Sequence, residues 1–196
     1  DDLAFGYTPD TAYFTLDGMF KQGFPKIASE LTLNHLENYN YHKGWKVPIA
    51  PEAYRRNLDL FGDQFSNFNA GKILLFIEGL VGVSYSLPDQ IFKIRDSMPL
   101  NWEWMELDIP MDGKSEWTKI RVEKNKGFFG GNRKKVSVTG CPLPLSIDVW
   151  LDGKEASGEP SFRGTKFETT SSNRPNALQF KTNEVVDSCS ISISLR

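Results

Sequence analysis

Near residue 88 the hydrophobic period of this chain changes from about four to two, and that switch limits what it can fold into. Before Leu87-Pro88, apolar residues recur at helical spacing. After it they alternate, and the end of the chain reads Cys-Ser-Ile-Ser-Ile-Ser-Leu over residues 189–195. Only a strand with one buried face fits that run. Helices first and strands later imply an α+β chain, divided here into a helical part, 1–88, and a β part, 89–196.

Three helices are expected in the first part. Thr8-Pro9-Asp10 gives a hydroxyl cap and a proline where a missing N–H does no harm, and Gly23 ends the segment. A second helix runs from Pro25 to about Asn38, with Ile27, Leu31 and His35 on one stripe. Residues 39–69 are aperiodic, with a short helix expected over Pro51–Asn57. The third segment, Ala70–Val83, reads AGKILLFIEGLVGV and is apolar almost all round. Such a helix is buried on most faces. Two companion helices offer little to bury it, so the helical part is expected to belong to a larger helical layer.

In the second part, strands are expected at Ile91–Ile94, Trp102–Ile109, Thr118–Val122, Val136–Val138, Leu145–Leu151, Ala177–Phe180 and Cys189–Leu195. Asp112-Gly113, Gly130-Gly131-Asn132 and Asp152-Gly153 supply turns between them. Short strands at this spacing imply an antiparallel β-sandwich.

Composition removes several classes of function. With 23 Lys+Arg against 25 Asp+Glu the formal charge is −2, so there is no basic excess of the kind nucleic-acid binders use. The longest apolar run, Ile73 to Ile77, falls far short of the ~18 residues of a membrane helix. Two cysteines and two histidines give no metal cluster of good spacing, and no cofactor motif occurs. The Gly-rich segment Gly127–Gly131 lacks the Gly-Lys-Ser/Thr of a phosphate loop. The lysines and arginine beside it, Arg133, Lys134 and Lys135, read as a solvated face. The start at Asp1-Asp2 suggests a processed product or an excised segment. The compartment stays open. A Cys141–Cys189 bridge would fit an extracellular setting, which is favoured, and two buried free thiols are the alternative.

The order GYTPDTAYFTLDGMFKQG, APEAY, FGDQFSNFNAGKILLFIEGLVGV and MPLNWEWMEL, over roughly residues 5–110, resembles the C-terminal end of six-hairpin, (α/α)6-toroid glycoside hydrolases of families 63 and 65. The resemblance implies the last helical hairpins of such a toroid, then a β-sandwich, and an inverting glucosidase-like activity on carbohydrate. A toroid needs about twelve helices of ~11–12 residues each, more than this chain can supply. The implied partner is therefore an N-terminal chain that completes the toroid. Inverting hydrolysis needs two carboxyl groups ~6.5–9.5 Å apart. By the resemblance Glu52, in Glu52-Ala53-Tyr54, is the candidate base and Asp63 the second candidate, with the general acid outside these residues. Glu52 also fits the first turn of a helix, and Asp63 an ordinary turn.

Trp45, Tyr54, Gln64, Phe65, Asn67 and Asn69 share the same long segment. Sugar sites use this mixture, because rings stack on an apolar sugar face while amides bind hydroxyls. Packing of the segment onto the core is the competing reading. Trp102 and Trp104 are expected to cover the junction of the two parts, and Glu78 to sit in a structural pair. The functional expectation is the C-terminal portion or subunit of an inverting glucosidase-like enzyme, supplying part of the sugar site. Its alternative is a non-catalytic structural or carbohydrate-binding protein descended from one.

Overall fold

The computed structural model describes residues 9–40, 50–54, 60–65, 70–71, 73–86, 88–111, 117–126 and 131–196. They fall into two compact units, 1–80 and 81–196.

The first unit holds helices α1 (Pro9–Lys21) and α2 (Pro25–Asn40), a hairpin of β1 (Ala50–Tyr54) and β2 (Leu60–Phe65), and a π-helical turn, Leu75–Leu80. α1 ends at Lys21, and the turn that follows passes through Gly23 at φ 85°, with the Phe24 N–H donating back to the Met19 carbonyl at 3.0 Å. The π-helical turn lies against α1. Gly79 touches the Phe20 ring so closely that a methyl group there would overlap it. Tyr13 on α1 donates to Glu78 Oε2 at 3.0 Å, so the one acid in the apolar run is held by a phenol.

Several expectations change here. The apolar run stays helical only to Leu80, and Val83 already belongs to a strand. The break falls at Gly82, which takes φ 71° and sits against the Arg95 carbonyl, a position that admits no side chain. Ile73 in that run is exposed. On α2 the buried face is Ala28, Ser29, Thr32 and His35, while Ile27 and Leu31 of the expected stripe are exposed. Small residues let α2 approach its neighbours; the larger ones face outward. Residues 51–54, part of the expected helix Pro51–Asn57, belong instead to strand β1. Pro51 is accommodated because the pairing shifts register between Pro51 and Ala53, at a bulge.

The second unit is built on two five-stranded sheets. One, in the order β5 (Trp104–Pro110), β6 (Trp117–Lys126), β7 (Asn132–Thr139), β12 (Ser188–Leu195), β9 (Ser161–Arg163), is antiparallel throughout. The other runs β10 (Glu168–Ser171), β11 (Ala177–Lys181), β8 (Leu145–Trp150), β4 (Ile91–Arg95), β3 (Val83–Ser86). It is mixed, because β4 pairs parallel with β8. The apolar faces of the two sheets meet: Phe162 of β9 approaches Phe180 of β11 edge-on, with ring centroids 5.9 Å apart. Cys189, Ile191, Ile193 and Leu195 alternate inward along β12. Central strand β8 is buried on both faces, and Leu145, Ile147 and Val149 are all but inaccessible. Cys141 and Cys189 are buried free thiols.

The described chain is therefore mostly β. It is not the last helical hairpins of a toroid followed by a purely antiparallel sandwich. No described helix is long and apolar enough to cross a membrane.

Candidate functional site

The site grows from one misplaced charge. β7 and β12 pair so that Lys134, Val136 and Val138 stand opposite Ile193, Ile191 and Cys189. Lys134 thus occupies an inward position on an amphipathic strand and is fully buried, contrary to the expectation of a solvated face. A buried ammonium must find carboxylates and acceptors. Its Nζ lies 2.6 Å from Asp96 Oδ2 and 3.0 Å from Asp152 Oδ1, and donates to the Trp150 carbonyl at 2.8 Å. The contact with Asp96 is close but poorly aligned for a hydrogen bond.

Each carboxylate arrives by a defined local structure. Asp96 follows β4. Its N–H continues the pairing with β8 by donating to the Asp148 carbonyl at 3.0 Å, and its Oδ1 accepts the Met98 N–H at 3.0 Å. Asp152 opens the Asp152-Gly153 turn after β8, where φ is 58° and 77°, and the Lys154 N–H closes it onto Leu151. Asp152 also holds Lys124 of β6, Nζ to Oδ2 at 3.1 Å. Lys124 in turn donates to the carbonyls of Pro99 and Leu100. Burial draws the Lys124 ammonium below the usual lysine range, against the pull of Asp152. Arg174 clamps the same segment from the other side, donating to the Asp96 carbonyl at 3.3 Å and to Ser97 Oγ at 2.8 Å. Burial lowers the guanidinium pKa, and Asp96 and Asp148 oppose it.

The result is a chain of paired charges that fixes residues 96–103 across the end of the sandwich. Above it lies a half-open cleft of about 660 Å³. Trp102 forms part of its wall with Asn101, Asn125, Asn132 and Glu103, and Lys124 and Asp152 line it from the network. Arg133 and Lys154 stand at the same cleft.

No family model, curated protein or solved structure matches this chain. Its chemistry rests on these side chains.

None of the residues singled out from sequence as catalytic or sugar-binding is among those that line the cleft. Glu52 and Asp63 fall on β1 and β2, at the register shift between the Pro51–Gln64 and Ala53–Phe61 pairs, so the hairpin backbone brings the two positions together. Tyr54 pairs with Leu60, Gln64 with Pro51 and Phe65 with Ala50. The side chains of this hairpin lie outside the described residues, as do Trp45, Asn67 and Asn69 altogether. The Gly127–Gly130 tip and the Asp112-Gly113 turn are outside them too. Trp104 does not join the cleft. It is exposed, with the Arg121 guanidinium 4.8 Å from its ring centre. No group of three His, Cys, Asp or Glu among the described residues is placed to hold a metal.

Sequence reasoning missed Asn101, Asn125, Asn132 and the lysine–aspartate network. The available signal was the parity of Lys134 on β7.

Proposed function

We propose that this chain is the carbohydrate-holding portion of a glucosidase-like glycoside hydrolase, and that its β unit binds sugar without cleaving it. One observation carries the reading: Trp102 lines the cleft together with three asparagines, Asn101, Asn125 and Asn132, beside the paired Lys124 and Asp152 and the further charges of Glu103, Arg133 and Lys154. A ring for the apolar face of a sugar and amides for its hydroxyls are what a neutral carbohydrate needs. The helical unit adds support for a portion of something larger. Phe14, Phe24, Ile27, Leu31 and Ile73 are exposed among its described residues, apolar surface of the kind partner chains cover.

Titration of the whole chain with small glucosides, followed by tryptophan fluorescence and amide chemical shifts, tests this. Saturable binding is expected, and Trp102→Ala should weaken it about tenfold, the equivalent of the roughly 1.5 kcal/mol of a good ring contact. No spectral response to any glucoside, or a Trp102→Ala variant that binds as well as the parent, overturns it.

The juxtaposition of Glu52 and Asp63 on one hairpin favours a second reading, in which this chain also lends the base of an inverting hydrolysis. Glucose release by the native protein with its partner, abolished by Glu52→Gln, is the outcome that reading requires. Binding without turnover leaves the first reading alone.

A further inference from the structure

We infer that Lys134 and Asp96 condense to an amide, a self-formed covalent link between the two sheets of the β unit. The pair has the features such a step needs. Both side chains are fully buried, one on β7 of the antiparallel sheet and one at the end of β4 in the mixed sheet. Nζ and Oδ2 are held 2.6 Å apart, off the line of a hydrogen bond. A second carboxylate, Asp152, lies 3.0 Å from the same nitrogen. The Trp150 ring stands 5.4 Å from Nζ and keeps that side dry.

The step balances with no other reactant. The ammonium gives one proton to Asp96 Oδ2 across the short contact, leaving a neutral amine and a carboxylic acid. The amine lone pair then attacks Cγ of Asp96. A Nζ–Cγ bond forms, and negative charge develops on Oδ1, where the Met98 N–H already donates at 3.0 Å. Asp152 takes a second proton from the nitrogen and passes it to the departing hydroxyl. The Cγ–Oδ2 bond breaks and one water leaves. Ammonium plus carboxylate has become secondary amide plus water, and Asp152 ends as it began. The remaining N–H keeps its bond to the Trp150 carbonyl. Asp152 also lines the cleft, which gives the water a way out. Contact geometry supplies what two free groups in water lack, since a held pair reacts as though at enormous concentration. The link closes the chain from 96 to 134 into a loop and clamps the wall that carries Trp102.

Intact-mass measurement of the denatured, purified chain decides the matter, because it needs no variant to fold. The expected mass is the sequence mass less one water. Proteolysis should give a branched peptide joining the fragments that carry Asp96 and Lys134. The full sequence mass overturns the proposal, and so does a water loss confined to a single linear peptide. Lys134→Arg keeps the charge and removes the nucleophile, so it should restore the full mass. A variant that still lacks one water refutes the assignment. Asp152→Asn should slow the appearance of the linked form in freshly folded protein. An unchanged rate would remove Asp152 from the proton transfer and overturn the step as written.

Discussion

Phe180 offers the sharpest test of how the β unit is built. Its side chain is fully buried on β11, level with Ile147 of β8, and its ring meets Phe162 from the opposite sheet at 5.9 Å and 70°. A buried phenylalanine removes about 150–250 Å² from water. At about 25 cal/mol per Å² that is about 4–6 kcal/mol, an upper bound because an alanine retains part of the burial. Phe180→Ala should therefore cost about 4 kcal/mol, within the ~3–5 kcal/mol of large-to-small core changes. The edge-on contact is separable. Phe162→Leu, Phe180→Leu and the double variant form a cycle whose coupling should be about 0.5–1.5 kcal/mol. Urea unfolding followed by tryptophan fluorescence suits the purpose, because Trp102, Trp104, Trp117 and Trp150, four of the five, lie in the β unit. A coupling of zero, together with a Phe180→Ala loss below about 1 kcal/mol, would refute the facing of the two sheets through this pair.

Three further outcomes are expected. Gly164 takes φ 88° with its Cα against the Ser188 carbonyl, so Gly164→Ala should lower stability by about 2 kcal/mol or more; an unmoved urea midpoint would show a different turn. Burial, reinforced by Cys141, pushes the Cys189 thiol up to about 11, and burial raises Cys141 as well. Both should resist an aromatic disulfide reagent at about pH 8 and react only after unfolding. Unfolded thiols ionise near 8.5, so the contribution of Cys189 to stability is complete below that pH and is lost as pH rises toward 11. Rapid native-state labelling contradicts it. Burial and the bond to Glu78 push the Tyr13 phenol up to about 12, so alkaline absorbance titration should show a late tyrosine component that Tyr13→Phe removes. An identical curve for the variant would place the late phenol elsewhere.

Sequence patterns revealed the β unit best where one strand face meets the core and the other meets solvent. The alternation at 189–195 returned as β12, with Cys189, Ile191, Ile193 and Leu195 buried on one face, and 177–180 and 118–122 lie within β11 and β6. Non-local pairing left no local trace. β4 joins β8 in parallel across some fifty residues, and nothing in the periodicity of either strand distinguishes a parallel from an antiparallel neighbour. The helical expectations failed where signals are ambiguous. Proline followed by an acid marks a helix start, yet Pro51-Glu52 sits in a two-stranded hairpin whose bulge tolerates proline equally well. The run AGKILLFIEGLVGV contains both a helical turn and the start of a strand. The break falls at Gly82, whose role depends on Arg95, thirteen residues later.

The cleft escaped notice because its parts come from five separate segments, yet one residue could have pointed to it. Along 132–139 the chain reads Asn-Arg-Lys-Lys-Val-Ser-Val-Thr. If Val136 and Val138 face inward, period two carries Lys134 inward as well, and Lys135 outward. A lysine two residues from a core valine either frays the strand or meets buried carboxylates. Strand β7 holds its pairing with β12 through Lys134 and beyond it to Asn132, so the second case applies. The carboxylates must then come from segments that cross the sheet end, which here are the stretch after β4 that carries Asp96 and the Asp152-Gly153 turn. Those same crossings carry Trp102 and wall the cleft. A charge on the apolar parity of a strand is thus a signal for where distant loops converge, and in this chain that convergence is the candidate site.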